Sequence, residues 1–364
     1  MKYTCDRTSL QEALTATSSV TLTRTPKPIL QCVRVTADQD VLTLTAYDQE
    51  VGLRCRVREV EIDELGDTLV PGDRLLAIVR ESSDETMVFE TDEDALHIRG
   101  SDSHFQIVGQ NVREFPPVPD MEGAPNFKVK VGVLREAVEQ TLFAAARENT
   151  RYAINGVLWE SQGQHLKLVA TDGRRLAMSG ATLAESSGED VRAIVPSKVL
   201  GLLLRLHLDA EEELQVRFLP NQVMMQADRA TISSVLVEGH FPKYEDVIPQ
   251  GADKIIALGT AELLSAVKRA ALLANAESKG IRLKLDKEGM VLSSRTPEQG
   301  EATVRVELDY TGEELVIGFN PEFVIDALKV CGEKMTFELQ ESSKPGVIKS
   351  GKNFKYVVMP VNLS

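Results

Sequence analysis

The sequence predicts an α+β fold made of three repeated domains, each with antiparallel sheets and two helices. Three observations carry that expectation. Pro71, Pro196 and Pro321 stand 125 residues apart in both steps. Each follows a short β-rich run (DTLV, VRAIV, ELVIGF) and opens an apolar pattern of helical period (VPGDRLLAIVR, VPSKVLGLLLRL, NPEFVIDALKV). The order helix, strands, helix, strands then recurs in each third of the chain. Self-similarity at a fixed interval signals a repeated architecture, and a sheet with two helices on one face buries such a pattern.

The elements follow from local chemistry. Proline suits a first helical position, where its missing N–H has no partner and its φ is already helical. Leu75, Ile78 and Val79 match Leu200, Leu203 and Leu204, and Ile325 and Leu328 match the first two of each set. An earlier helix is expected in each repeat, over 6–19, 131–148 and 260–276, with Leu10, Leu134 and Leu264 as equivalents. Alternating apolar and polar residues after each helix predict strands, separated by short polar turns such as ADQD, SQGQ and DKEG. Phe115-Pro116-Pro117 and Phe241-Pro242 open proline-rich joints. They divide the chain into domains 1–126, 127–252 and 253–364.

Composition narrows the function classes. A chain of 364 residues suits two or three cores, and 43% hydrophobic content argues against disorder. There is no apolar run of the about 18 residues that a membrane helix needs, and MKYTCDRTSL lacks a signal-peptide core. Four cysteines without CxxC spacing fit reduced thiols and a cytoplasmic location. The net charge of −14 argues against tight wrapping of nucleic acid, but it permits a local basic face on an acidic body.

Motifs that look chemical read as ordinary structure. Gly346 to Asn353 follows the phosphate-loop pattern until its last position, where Asn353 replaces the Ser or Thr that would hold magnesium, and a strand pattern follows; a β-turn is expected. Ser265-Ala-Val-Lys268 copies SxxK without its companion motifs. The five histidines, at 97, 104, 165, 207 and 240, have no close metal-ligand spacing. Asp172 of ATDGRR has a counterpart in Asp48 of AYDQEV, which gives the carboxylate a turn role. No nucleophile is paired with a base, so no catalytic residue, no metal and no cofactor is expected.

Six stretches resemble the bacterial DNA sliding clamp family, the β subunits of DNA polymerase III: LTRTPKPIL, ENTRYAINGVLWE, LVATDGRRLAM, GHFPKYEDVIP, GIRL and the terminal YVVMPVNLS. They occur in order over the whole chain, and the threefold repeat fits them. The resemblance implies the DNA clamp fold, closed as a head-to-tail homodimer into a six-domain ring. Its function would be that of a DNA polymerase processivity factor, which encircles double-stranded DNA and performs no bond chemistry. A ring needs only weak, sequence-blind phosphate contacts that slide.

The resemblance also assigns residues and partners. DNA contacts would fall to Arg24, Arg147, Asn149, Tyr152 and Lys198, with Arg80 and Arg205 among the basic residues of the expected helices. A peptide pocket would use Ile154, Thr171, Gly173, Arg174, Arg175, Leu176, Pro242, Val247, Asn320, Phe323, Val357, Met359, Pro360 and Val361. Its clients would be the DNA polymerase III catalytic subunit and, through short peptides, other polymerases and repair proteins. Asp246 and Ser278 differ from well-known members, which have a basic and an aromatic residue there in some cases. Ring closure would join Phe105 and Ile107 of one chain to Leu272 and Leu273 of another, a heterologous contact that closes after two copies. An ATP-dependent clamp loader would open the ring. The sequence also admits two rival classes: a repeat-built hub that binds proteins but not DNA, and a nuclease or transferase with an unrecognised site.

Overall fold

A computed structural model describes residues 1–147, 153–274, 280–296 and 300–362. Of the expected site residues, Asn149 and Tyr152 lie outside the described residues, as does Ser278. Six α-helices occur among the described residues: α1 (Arg7–Ser18), α2 (Gly72–Glu81), α3 (Val131–Leu142), α4 (Ser197–Arg205), α5 (Thr260–Ala271) and α6 (Pro321–Lys329).

Helix α1 starts where Asp6 accepts the Ser9 N–H at 2.7 Å, a side-chain cap for an otherwise orphaned donor. Leu10, Ala13, Leu14 and Thr17 form its buried stripe. Helices α3 and α5 end earlier than their apolar patterns suggest. Ala144 and Ala145 donate to carbonyls three residues back, and Leu272 and Ala274 do the same beyond α5. Such tightened turns satisfy the last carbonyls and close a helix.

The third repeat is slipped by one residue relative to the sequence reading. Pro71 and Pro196 end the strands Gly66–Pro71 and Val191–Pro196, and the helices begin one residue later. Pro71 still pairs with Cys32 across the ladder, which holds its ψ at an extended 117°. Pro321 is the expected N1 proline, with Asn320 as the cap accepting from Glu322 N at 2.9 Å. Position four of these helices is therefore Leu75, Leu200 and Val324; Val324, rather than Ile325, is fully buried. The same slip makes Leu263 the equivalent of Leu10 and Leu134, while Leu264 is only half-buried.

Two compact units emerge. One contains Met1–Val133, Leu183–Val191 and Lys198–Leu236; the other contains Leu134–Thr182, Arg192–Ser197 and the chain from Val237 onward. In the first unit, a nine-stranded antiparallel sheet pairs Ala230–Val235 with Val51–Val57, so strands of two successive repeats share one ladder. Gly52 lies opposite Ser233 in that seam, and a Cβ at Gly52 would stand 2.5 Å from both Ser233 Oγ and Val118 Cγ1. A five-stranded sheet in the same unit ends on His104–Val108. In the second unit, an eight-stranded sheet pairs Phe354–Val358 with Arg175–Thr182, and a four-stranded sheet ends on Gly300–Val306. No described helix is long and apolar enough to cross a membrane.

Candidate functional site

The second unit gathers most of the expected pocket residues around one turn. Asp172 Oδ1 accepts the N–H groups of Arg174 and Arg175 at 3.0 and 3.1 Å. Asp48 does the same for Glu50 and Val51 at 2.9 and 2.7 Å, the turn role expected of both carboxylates. Thr171 Oγ1 donates to the Arg175 carbonyl at 2.6 Å and accepts the Gly173 N–H at 3.1 Å. Gly173 has φ +86° and open space where a Cβ would be, so its backbone is approachable.

Arg175 leaves this turn inward. Its Nε donates to Asp172 Oδ2 at 3.0 Å, its Nη1 to Asp326 Oδ2 at 2.9 Å and its Nη2 to the Phe143 carbonyl at 2.9 Å. The Phe323 ring centroid lies 4.4 Å from its guanidinium carbon, a cation–π distance. Burial pulls the guanidinium's pKa down, but the Asp326 hydrogen bond and the neighbouring Tyr356 and Asp172 outweigh it and hold it above its ordinary value. Arg175 thus fastens the turn to α6 through groups that the sequence reading had not joined. Asp326 and Phe143 carried no local signal of this role.

The other pocket candidates separate into support and rim. Ile154, Leu176 and Val357 belong to one buried core with Phe241 and Tyr244. Thr171 and Asn320 are buried as well, the latter as the cap of α6. Gly173, Arg174, Val247 and Met359 are exposed, while Pro242, Phe323, Pro360 and Val361 are half-buried. Met359 N donates to the Arg174 carbonyl at 3.0 Å, and Val361 N to that of Gly318 at 2.9 Å, fixing the last segment beside the turn. The accessible surface is a flexible methionine, a valine, prolines and bare backbone, a chemistry suited to varied apolar peptides.

The expected DNA contacts differ in availability. Arg24, Arg80, Arg147 and Arg205 are exposed, and none forms an ion pair with another described residue. Lys198 is half-exposed, and its Nζ is hydrogen-bonded to the buried carboxylate of Asp48. In the first unit, an open cleft of about 540 Å³ is lined by Arg7, Arg56, Arg205, His207 and Arg229 beside α1. Glu12 also lines this cleft and Arg229 is paired with Glu59, so its positive excess is modest.

The edge residues are likewise unequal. Phe105 is 41% and Val108 69% exposed on the strand His104–Val108, whereas Ile107 is packed into its own chain's core. Leu272 is 76% exposed just past α5, and Leu273 is half-buried, so one of the two adjacent leucines does face outward.

Nothing here is arranged for bond chemistry among the described residues. Gly346–Ser350 and Phe354–Val358 form a hairpin closed at Gly351, φ +60°, and not a phosphate loop. Ser265 and Lys268 are exposed residues of α5. The free thiols of Cys5 and Cys55 are pushed up to about 12 by burial, which makes them inert.

Fold and site together define a repeat-built binding protein. Family models match most of the chain in three parts: DNA polymerase III beta subunit N-terminal domain at residues 1–119, central domain at 128–243 and C-terminal domain at 245–362. The chain is 33% identical over 367 residues to the beta sliding clamp of Pseudomonas aeruginosa and 30% identical to that of Escherichia coli K12, each match covering 100% of both chains. A crystal structure of the Pseudomonas aeruginosa clamp bound to griselimycin superposes with a TM-score of 0.94 at 33% identity. The Bacillus subtilis clamp superposes at 0.93 and 26%, again over all of both chains. The chain belongs to the DNA polymerase III beta subunit family and has the clamp fold. Its role is that of a non-catalytic processivity subunit of the replicative polymerase.

Proposed function

We propose that two copies of this chain close head to tail around double-stranded DNA, and that the Thr171–Arg175 turn with the Met359–Val361 segment receives peptides of the polymerase and other DNA-handling proteins. The observation that carries the ring is a pairing rule. In each of the two long sheets, the last strand of one repeat pairs with the fourth strand of the repeat before it: Ala230–Val235 with Val51–Val57, and Phe354–Val358 with Arg175–Thr182. By the same rule, the last strand of the first repeat, His104–Val108, requires the fourth strand of a third repeat, Gly300–Val306. Among the described strands each has a partner on one side only, Ala95–Arg99 and Gly289–Thr296 respectively. An unpaired edge carrying exposed Phe105 and Val108 is a liability that a second copy removes. Its five-stranded sheet and the four-stranded sheet would then join as nine strands, beside the nine and eight of the two complete long sheets.

Enclosure explains how an acidic chain serves DNA. Topology supplies retention, so exposed arginines such as Arg24, Arg80, Arg147 and Arg205 need only tolerate phosphate without binding it tightly. The division into domains 1–126, 127–252 and 253–364 is part of this reading, as are a cytoplasmic location and opening of the ring by an ATP-dependent clamp loader. Tethering through a peptide turns polymerase dissociation into rebinding at high effective concentration. The solution mass tests closure: a chain of 40.0 kDa should sediment as a dimer, and a strict monomer would refute the ring.

A further inference from the structure

The hairpin Ala95–Arg99 and His104–Val108 brings together two histidines that stand seven residues apart in sequence. Its register pairs His97 with Gln106 and Arg99 with His104, so the two imidazoles are diagonal neighbours on one face. Leu96, Ile98 and Ile107 are buried on the other face. His97 Nδ1 and His104 Nε2 are 3.0 Å apart, with ring centroids 5.2 Å apart and planes inclined by 22°. Glu90 lies directly across from His97 on the next strand and is engaged by Arg99. Among the described residues no group of three or more His, Cys, Asp or Glu side chains is gathered for a metal. This pair is therefore a two-ligand arrangement.

The distance between the nitrogens has chemical content. Two imidazole nitrogens each about 2.1 Å from one ion stand about 3.0 Å apart at a right angle and about 3.4 Å apart at a tetrahedral angle. At 3.0 Å the two rings share a hydrogen bond, one N–H donating to the other ring's bare nitrogen; the same separation is that of two ligand nitrogens at a right angle, so an ion would displace the shared proton and turn both lone pairs toward itself. Neutral imidazole is a good ligand for nickel and zinc, and the exposed face leaves the remaining positions to water.

We propose that His97 Nδ1 and His104 Nε2 together bind a first-row divalent transition-metal ion, with Ni²⁺ fitting the right angle directly and Zn²⁺ after a slight opening. The ion would clip the exposed edge strand to its neighbour across the hairpin. It would add stability to the native chain in proportion to its concentration, because the pair is assembled only by the folded register. Both ligands belong to one chain.

The test is equilibrium dialysis of the untagged full-length protein against Ni²⁺ and, separately, Zn²⁺. Wild type should take up one ion per chain, and its thermal unfolding midpoint should rise with added ion. His97→Gln and His104→Gln should each weaken that binding by at least the ~10–100-fold that loss of even an outer-shell partner costs. His165→Gln should leave it intact. Because the two histidines are on an exposed edge, the metal-free variants should unfold at the wild-type midpoint, which separates loss of a ligand from loss of the fold. No uptake by wild type, or unchanged uptake by both edge variants, overturns the proposal.

Discussion

Arg175 Nη1 stands 2.9 Å from Asp326 Oδ2, and through that bond the Thr171–Arg175 turn is fastened to helix α6. The guanidinium side chain is 9% exposed and also holds Asp172 and the Phe143 carbonyl. It sets where Gly173 and Arg174 present their backbone. Arg175→Ala would leave Asp172 with its turn N–H groups and Asp326 with Lys329, and should cost about 2 kcal/mol, less than the ~3–5 kcal/mol of breaking a fully buried pair. Arg174→Ala should leave urea stability within about 0.5 kcal/mol of wild type, as expected of a surface substitution. Equilibrium unfolding of the two variants, with client-peptide titration of each, separates support from contact.

The carboxyl of Glu160 predicts a pH dependence. Burial pushes its pKa up, but hydrogen bonds from Lys167 and Tyr244 and the charges of Lys167 and Arg192 more than offset that, so it lies below its ordinary value. A carboxyl lowered in the folded state contributes stability above its unfolded pKa, and that contribution is lost as pH falls through the folded value. The Tyr244 hydroxyl donates to Glu160 at 2.7 Å. Tyr244→Phe should therefore cost about 1.5 kcal/mol near pH 7, as for a hydrogen bond to a charged group. The gap should shrink near pH 3, and urea melts at the two pH values measure it.

One substitution made at two glycines should give opposite results. A Cβ at Gly52 meets Ser233 and Val118 at 2.5 Å in the seam between repeats, whereas at Gly180 it would meet Asn353 at an ordinary 3.7 Å. Gly52→Ala should destabilise by about 1–3 kcal/mol through overpacking. Gly180→Ala should be neutral or slightly stabilising, since it restricts the unfolded chain. Thermal melts compare them directly.

The proposed joint between copies separates exposed from buried residues. Leu272, 76% exposed in the single chain, should tolerate Asp without loss of chain stability yet yield a monomer by sedimentation. Ile107→Ala should instead lower stability by about 2–4 kcal/mol, because Ile107 is core. Equal stability losses at both positions would contradict this division.

The repeat and the helix-strand order were legible because apolar periodicity and proline leave local marks. The one-residue slip in the third repeat was not, since Pro321 is an N1 residue while Pro71 and Pro196 end strands, and a fixed interval does not distinguish them. The turn roles of Asp48 and Asp172 were readable from matching sequence context. Their second partners, Lys198 and Arg175, needed the tertiary fold for Lys198, 150 residues from Asp48, and a side-chain direction for Arg175. Burial of Ile107 beside exposed Phe105 has the same origin: strand alternation puts both on one face, and the neighbouring packing covers one more than the other.

Retention on DNA of different topology tests enclosure most directly. Protein assembled by a clamp loader on nicked circular plasmid should stay bound through gel filtration at high salt and leave once the plasmid is cut to a linear form. Equal retention on circular and linear DNA would mean that the protein grips rather than encircles, and would contradict the account.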